Sequence, residues 1–463
     1  MAGATLRIRF IIIGATAAGL ASAIALRRAG HDVVLLDVGD EAAHDTGCTV
    51  PPNMSKLLIR WGLEAELRKV SVGSRVILMT DYETDEIIGK HSWHEELFKD
   101  AGGDMLYMHH SDIRKLLHAN ATALGTSIVP DARVSSIEFD ADERPSVRLA
   151  SGQVLEGDVV VATDGPGSIA RALVIGHDVQ ETNLGLTIFS LTVPREAMAA
   201  DPQLVPLLEQ SWISYVWLGA SRGAIGFVAG VQPEFALQVY VADAAAAQLW
   251  SQSISPEQVL HHMGPCEPRL QKLVALSVRI HCAPLIEPPE LETWVHPSGH
   301  LLILGDAAHP FPPGATNGVS TSVCDAGTLG ELFRHLHSRA QVASFVRAFE
   351  SLRRDPVRTM LAADLAHYTT VAMAPGAARD ARDAAMREKY VAGVDALTGA
   401  TDAATAVWER DKAVFAYDAE DHAAEWWNDW GLLEERATNQ VRVPPEKVPL
   451  FAVQQHRAKT PGA

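Results

Sequence analysis

The amino terminus carries a strand–helix–strand pattern, and this pattern constrains the fold more than any other feature of the chain. Residues 7–13 (RIRFIII) are a β-branched run typical of a buried parallel strand, which Gly14 ends abruptly. Residues 17–29 are alanine-rich with a helical pattern, and Gly30 stops that helix. Residues 31–37 (HDVVLLD) then indicate a second buried strand. This βαβ unit predicts an α/β fold built on a parallel sheet.

The turn of this unit, residues 14–19 (GATAAG), is a degenerate form of the G-x-G-x-x-G motif of dinucleotide-binding proteins. Gly14 allows the tight turn, Gly19 allows the helix to pack closely on the strand, and the helix N-terminus offers free N–H groups to a pyrophosphate. Thr16 replaces the middle glycine and weakens the motif, so a turn without a cofactor stays an alternative. Asp37 ends the second strand, where a carboxylate accepts hydrogen bonds from an adenosine ribose. The residues predicted to bind the cofactor here are Gly14, Thr16, Ala17, Ala18, Gly19 and Asp37.

Composition and charge exclude several kinds of protein. The 463 residues include 39 Lys and Arg against 57 Asp and Glu, and the net charge of −18 disfavours binding to nucleic acid or to an anionic membrane surface. The four cysteines are too scattered for a disulfide framework or a zinc knuckle. The 19 histidines lack the spacing of a metal site, so no metal is predicted.

The uncharged run at residues 10–26 is superficially similar to a secretory signal. A signal peptide does not need glycines at helix-opening spacing followed by a strand that ends in an acid, and this segment has both. No other run approaches the ~18 apolar residues of a membrane span. We therefore expect a soluble, cytoplasmic protein with no membrane partner.

Two later segments each place an acidic residue after an apolar strand. Residues 157–171 read GDVVVATDGPGSIAR, in which Asp164 follows the strand. Residues 300–326 read HLLILGDAAHPFPPGATNGVSTSVCDA, in which Asp306 opens a Pro/Gly loop that leads into a helix. Both carboxylates therefore stand at the carboxyl end of a strand, where α/β sheets bind cofactors.

In order and spacing, these segments and the βαβ turn resemble the class A flavoprotein monooxygenases, the family of para-hydroxybenzoate hydroxylase and salicylate hydroxylase. GDAAHP followed by Pro-Pro is a very specific match, and residues 47–63 and 413–427 resemble further family segments. The resemblance covers most of the chain and implies an enzyme with non-covalent FAD. Such an enzyme uses NADH or NADPH and O2 to hydroxylate a phenolic or aromatic acid substrate through a flavin C4a-hydroperoxide. Decarboxylation follows if oxygen is delivered to the ring carbon that bears the carboxylate.

The resemblance implies that the second acidic segment contacts the ribityl chain of FAD, through Gly305 and Asp306. Capping of the following turn is the alternative role of Asp306. The resemblance also places Asp164 in the segment that touches both FAD and the nicotinamide, with a simple Asp-Gly turn as the alternative.

The resemblance implies that the loop after GDAAHP begins beside the substrate ring and continues under the flavin pyrimidine. Pro313 corresponds to the family proline beside the substrate ring, whose carbonyl accepts a hydrogen bond from a phenol. Amides of Asn317, Gly318 and Val319, at a helix N-terminus, would stabilise negative charge on the flavin pyrimidine. The family usually has Gln-Gly followed by Asn in this loop, and Ser320 follows Asn317-Gly318 here.

Cations are expected near the flavin and near the substrate, and the one near the flavin departs from the family pattern. His110 stands where an arginine usually reaches the flavin or its phosphates, and Arg114, one helical turn further, is the candidate to replace it. A surface arginine is the alternative reading of Arg114. An acidic aromatic substrate requires a cationic anchor, for which Arg222 is the candidate. Tyr215 would line an aromatic pocket, with plain sheet packing as the alternative.

The fold class implied is α/β, with a Rossmann-like FAD-binding domain, a mixed β-sheet substrate domain interleaved with it, and a helical C-terminal region. The FAD-binding domain takes residues 1–75, 100–175 and 280–345, the substrate domain 76–99 and 176–279, and the C-terminal region with its tail 346–463. The aromatic residues Trp426, Trp427 and Trp430 predict a buried anchor or a contact between two copies, which leaves a homodimer open.

Two other functions remain open from the sequence. An enzyme of the same fold that epoxidises an alkene or reduces a prenyl chain would be supported by a long apolar tunnel. A non-catalytic carrier of lipidated partners would keep the βαβ unit but has no need for GDAAHP or the amide-rich loop.

Overall fold

Two large sheets and the helices that cover them make up the fold of the chain, which we describe from a computed structural model. The described residues are 3–39, 46–93, 95–177, 179–230, 232–243, 245–250, 253–397 and 412–433. The strands, in chain order, are β1 Arg9–Ile13, β2 Asp32–Leu36, β3 Gly47–Val50, β4 Val72–Gly73, β5 Val76–Asp81, β6 Ile87–Ser92, β7 Leu106–His109, β8 Ser127–Val129, β9 Val134–Phe139, β10 Pro145–Leu149, β11 Val154–Glu156, β12 Val159–Ala162, β13 Thr182–Val193, β14 Ile213–Leu218, β15 Arg222–Ala229, β16 Glu234–Val241, β17 Arg279–Glu287 and β18 Leu301–Ile303. The helices, in chain order, are α1 Ala17–Ala29, α2 Pro52–Arg60, α3 Glu64–Val70, α4 Glu95–Ala101, α5 His110–Ala123, α6 Ile169–Ile175, α7 Arg195–Ala199, α8 Val205–Glu209, α9 Pro256–Met263, α10 Pro268–Ala275, α11 Gly318–Arg334, α12 Val342–Val371, α13 Ala377–Val391 and α14 Ala419–Trp426.

The five-stranded sheet has the order β18-β12-β1-β2-β8, and its strands pair in parallel. The side chains of Phe10, Ile11 and Ile12 in β1 are fully buried, as expected for a central strand covered on both faces. Helix α1 follows the N-cap residue Thr16 and ends at Gly30, whose φ of 104° lies in the left-handed region that favours glycine. The predicted βαβ unit and the Rossmann-like α/β fold are therefore confirmed.

The seven-stranded mixed sheet has the order β17-β13-β16-β15-β14-β5-β6 and two distinct faces. Its outer face packs on short helices, with Trp217 buried in the same core as Leu270 of α10. Its inner face turns toward the rest of the chain, where Tyr240 lies 5.4 Å from Tyr368 of α12 between ring centroids. Because successive side chains of a strand alternate between faces, each residue of the sheet belongs to one of the two.

One predicted domain boundary is wrong, because the FAD-binding segment 280–345 starts too early. Strand β17 pairs antiparallel with β13, with Cys282 opposite Phe189. Cys282 and Phe189 are buried together in the outer-face core, so β17 completes the seven-stranded sheet. The rest of the division into interleaved domains stays a prediction.

The carboxyl-terminal region is helical where the structure describes it. Helix α12 has 30 residues with Pro356 inside it, and α13 follows within the predicted helical region. Helix α14 returns to the core of the five-stranded sheet, where Trp427 is buried, whereas Trp430 is exposed. Trp427 is thus the buried anchor of the tryptophan cluster. The tail from residue 434 lies outside the described residues.

Within the described part of the chain, no helix combines the length and the apolarity that crossing a membrane requires. Nor does that part contain a group of three or more His, Cys, Asp or Glu residues arranged to hold a metal ion. None of the four cysteines, Cys48, Cys266, Cys282 and Cys324, forms a disulfide, and all four are buried.

Candidate active site

Three strands of the parallel sheet end side by side, at one edge. Ile13 pairs with Ala162, and Ala162 pairs with Ile303, so the loops after β1, β12 and β18 leave the sheet together. A Cβ added to Gly14 would lie 3.1 Å from the Cα of Asp164, and a Cβ added to Gly305 would lie 2.8 Å from the Cβ of Ala18. The three motifs of the sequence analysis therefore meet in one place.

The first of these loops turns tightly into α1. The Thr16 hydroxyl accepts a hydrogen bond from the Gly19 amide at 3.3 Å and donates to the Thr163 carbonyl at 3.1 Å, so it points back into the protein. Because the first amides of a helix have no intrahelical acceptor, Ala17 and Ala18 offer N–H groups at this edge. The first turn of α1 contains no acidic residue. This arrangement suits an anion such as a pyrophosphate.

Arg114 connects the end of β2 to the same turn. Its Nη2 donates to the Asp37 carboxylate at 2.9 Å, and its Nε donates to the Ala15 carbonyl at 3.2 Å. Arg114 therefore lies beside the βαβ turn. His110 begins α5, and its backbone N–H donates to the Thr46 carbonyl at 3.1 Å. A role of either side chain toward a cofactor stays a prediction.

The other two loops each present an exposed carboxylate, that of Asp164 after β12 and that of Asp306 after β18. Protein surrounds both residues on their remaining sides, and this desolvation raises the pKa of each carboxyl above its usual range. Gly305 has a left-handed φ of 60°, which turns the chain sharply before Asp306. Both carboxylates are accessible to the hydroxyl or amide groups of a ligand.

The loop after β18 carries Pro313, which is exposed, and leads to the N-terminus of α11 at Gly318. The backbone N–H and the side-chain Nδ2 of Asn317 both donate to the carboxylate of Asp364, each at 3.0 Å. The amide donors of Asn317 are therefore bound to the protein, which disagrees with the prediction that they contact a flavin. Gly318 and Val319 keep the free amides of a helix N-terminus.

A buried ionic network that the sequence did not indicate holds the start of this loop. The carboxylate of Asp325 in α11 accepts hydrogen bonds from the Gly305 amide at 3.0 Å and from His309 Nε2 at 2.7 Å. It also accepts from Nε of Arg353 in α12 at 2.7 Å. Asp325 and Arg353 are fully buried. The only available sequence signal was the histidine of GDAAHP, because Asp325 and Arg353 follow it at distances that define no motif.

Arg222 and Tyr215 do not face the candidate site, so the prediction that they anchor and line the substrate is wrong. Nη1 of Arg222 donates to the Met263 carbonyl of α9 at 3.0 Å. Tyr215 lies 5.9 Å from Trp217 between ring centroids, in the outer-face core. Alternation along β14 and β15 places both residues on the outer face, away from the strand-end loops.

The residues at the strand ends fit FAD. The glycines leave room for close approach, the N-terminus of α1 suits the pyrophosphate, the exposed Asp306 suits ribityl hydroxyls, and the N-terminus of α11 suits the pyrimidine edge. A family model described as an FAD binding domain matches residues 7–263 of this chain. The chain belongs to this family. FAD is its cofactor, and NADH or NADPH is the co-substrate typical of flavin monooxygenases.

Relatives and solved structures agree with this assignment. The chain is 25% identical to FAD-dependent monooxygenase OpS4 of Beauveria bassiana over 384 residues, which are 82% of this chain and 89% of OpS4. It is 27% identical to FAD-dependent monooxygenase ntnJ of Nectria sp over 367 residues, which are 77% of this chain and 83% of ntnJ.

Its fold is similar to that of a salicylate hydroxylase substrate complex, with a TM-score of 0.71, 18% identity and coverage of 90% and 97% of the two chains. It is also similar to Klebsiella pneumoniae HpxO crystallised with FAD and uric acid, with a TM-score of 0.71, 20% identity and coverage of 88% and 97%. The protein is an FAD-dependent monooxygenase with the class A fold, which favours an enzyme over a carrier.

Replacing Arg114 by Met removes the hydrogen bonds of the guanidinium to Asp37 and Ala15 and keeps the apolar stem. We expect the Kd for FAD to rise about ten- to hundred-fold, because hydrogen bonds to charged groups contribute ~1.5–3 kcal/mol and Asp37 loses its fixed orientation. Titration of FAD into the apoprotein, followed by flavin fluorescence, measures the change. Arg148→Met, at the exposed position of strand β10, is the control and should leave the Kd unchanged. An unaltered Kd in Arg114→Met would contradict a role at the cofactor.

Replacing Asp306 by Ala removes the exposed carboxylate of the third loop. We expect the Kd for FAD to rise at least about tenfold, because a carboxylate that accepts hydrogen bonds from hydroxyls is lost. The same titration, with exposed Asp142→Ala as the control, measures this effect. Full FAD affinity in Asp306→Ala would remove the ribityl assignment.

Proposed function

We propose that this monooxygenase hydroxylates an electron-rich aromatic ring, using NADH or NADPH and O2. The observation that carries the proposal is the approach of the Pro313–Gly314 loop to the inner face of the seven-stranded sheet. A Cβ added to Gly314 would lie 2.2 Å from Nε2 of Gln238 in β16. A ring held between the sheet and the N-terminus of α11 would therefore lie beside the exposed Pro313.

The inner face of the sheet beside Gln238 is apolar. Ile225, Val216 and Met79 follow Gln238 across neighbouring strands in register, and each presents an apolar side chain. The phenol ring of Tyr240 lies on the same face, two residues from Gln238. Apolar walls exclude water from reactive intermediates and hold a flat ring in place.

The chain's own contribution to the reaction is positioning and charge stabilisation. When bound, FAD supplies the activation of oxygen with electrons from NADH or NADPH. Gly318 and Val319, at the positive end of the α11 helix dipole, would stabilise negative charge at the pyrimidine edge. The Pro313 carbonyl already accepts a hydrogen bond from the Tyr368 hydroxyl at 3.2 Å, so a substrate phenol would share this acceptor.

The test is a panel of phenols, phenolic acids and heteroaromatic compounds, scanned for stimulation of NAD(P)H oxidation by the FAD-loaded protein. We expect at least one aromatic compound to stimulate oxidation and to gain one oxygen atom by mass spectrometry. Loss of CO2 from an acid in the same assay would establish decarboxylation. Stimulation by alkenes or prenyl compounds alone would favour the epoxidase or reductase alternative and overturn this proposal.

A further inference from the structure

The row of inner-face side chains that contains Gln238, the residue against Gly314, is uncharged. In register across the strands, it consists of Ser190, Gln238, Ile225, Val216 and Met79. His281 extends the row on β17 and already interacts with other residues of the protein. Arg279, two residues along β17, is hydrogen-bonded to Glu234. Among the described residues, this row therefore supplies no free guanidinium or ammonium group for a carboxylate.

Gln238 is the polar centre of the row. Its residue is only 6% exposed, and its Oε1 accepts a hydrogen bond from the Tyr240 hydroxyl at 2.6 Å. No described residue accepts a hydrogen bond from its Nε2. This atom is not completely enclosed by the described residues. Nε2 is thus a donor without an acceptor among the described residues, on a buried side chain whose amide lies against Gly314. Because an unsatisfied buried donor is costly, we expect a ligand to supply the acceptor for this N–H group.

Tyr240 fixes which end of the Gln238 amide faces the loop. Burial raises the pKa of the Tyr240 hydroxyl far above its usual range, so the hydroxyl stays protonated and remains a donor. A donor held against the amide selects its oxygen, and the NH2 group is left to point elsewhere. Rotation of the amide would turn its NH2 group toward the hydroxyl oxygen and leave the hydroxyl proton without an acceptor among the described residues.

We propose that Gln238 selects a neutral aromatic substrate that carries an amide or lactam carbonyl, and disfavours the corresponding carboxylate. The carbonyl oxygen would accept a hydrogen bond from Nε2, with Tyr240 as the positioning residue. A carboxylate in the same place would be desolvated without a cation from this row, which is costly even with one hydrogen bond. This inference rests on the proposed aromatic hydroxylation and narrows its substrate class.

The experiment compares matched pairs that differ only in the charged group, namely 2-hydroxybenzamide with 2-hydroxybenzoate and indole-3-carboxamide with indole-3-carboxylate. Calorimetric titration into the FAD-loaded protein gives the Kd of each compound without requiring turnover. We expect the amide of at least one pair to bind at least about tenfold more tightly than its acid. Equal or tighter binding of the acids would overturn the proposal, and so would the absence of binding by all four compounds.

Variants of Gln238 and Tyr240 distinguish a role in substrate recognition from a role in folding. Gln238→Glu keeps the shape and the acceptor for Tyr240 but removes the donor, and we expect it to abolish the preference for the amide. Gln238→Leu and Tyr240→Phe should reduce that preference, while the Kd for FAD stays within about twofold of the wild type. Gln153→Glu in an exposed turn is the matched control. Retention of the amide preference in Gln238→Glu and Gln238→Leu would overturn the assignment. If other aromatic compounds still stimulate NAD(P)H oxidation in that case, the proposed aromatic hydroxylation stands although the role of Gln238 is rejected.

Discussion

Gly19→Ala protein is expected to lose FAD binding, with a Kd at least about a hundredfold above that of the wild type or no stable fold. The Cβ of an alanine at this position would lie 1.9 Å from the Gly14 carbonyl oxygen and 2.7 Å from the Thr163 hydroxyl. Neither group yields easily, because Gly14 occupies a tight turn and the Thr163 hydroxyl donates to the carbonyls of Ile13 and Gly14, each at 2.9 Å. The helix must therefore move away from the strand, which opens the turn that cradles the pyrophosphate.

The measurement is FAD titration of the purified variant, together with circular dichroism to show that it has folded. Gly73→Ala is the matched control, because the added Cβ would meet nothing within 4 Å in strand β4. Wild-type affinity in Gly19→Ala would show that helix and strand tolerate separation, and would contradict the structural account of the turn.

Asp325→Asn is expected to destabilise the protein by about 3–5 kcal/mol. The substitution weakens the hydrogen bonds from His309 and Arg353 and leaves the fully buried guanidinium of Arg353 without a carboxylate. Burial by itself raises the pKa of the Asp325 carboxyl, but His309 and Arg353 outweigh it and hold that pKa below its usual range. Urea unfolding of the apoprotein, compared with the wild type at neutral pH, measures the loss.

A double variant identifies the source of that loss. Asp325→Leu combined with Arg353→Met removes both charges, and we expect it to be less destabilised than the sum of the two single variants. Additive losses would show that the two side chains act independently and would contradict the network.

Acid sensitivity provides a further measure of the same carboxylate. Because the folded-state pKa of Asp325 is depressed, its contribution to stability is present above the unfolded-state pKa of ~3.9 and is lost as pH falls through the folded-state value. We therefore expect the urea midpoint of the wild type to fall more steeply below about pH 4 than that of Asp325→Asn. Parallel pH profiles would contradict the depressed pKa.

The cofactor-binding fold was predictable because its signals are local. A buried strand, Gly14, an alanine-rich helix and a second strand ending in Asp37 specify a βαβ unit within one stretch of chain. The acidic segments around Asp164 and Asp306 each follow an apolar strand, and parallel pairing then brings their ends to one edge. The hydrophobic periodicity of each element and the parallel direction of the strands are sufficient for this prediction.

Long-range geometry accounts for what the sequence did not reveal. Alternation shows that Tyr215 and Trp217 share one face of β14, but it does not say which face meets the cofactor-binding sheet. Arg222 therefore looked like a substrate anchor although it bonds to α9. The amides of Asn317 were likewise unpredictable as bound groups, because Asp364 lies 47 residues away on another helix.

The central claim is that the loops after β1, β12 and β18 hold one FAD per chain without a covalent bond. The most direct measurement is the stoichiometry of FAD taken up by the apoprotein, determined from flavin absorbance before and after denaturation and removal of the protein. We expect one equivalent of bound FAD, all of it released intact into the supernatant. Protein that remains colourless in excess FAD, or flavin that stays attached to the denatured chain, would contradict the account.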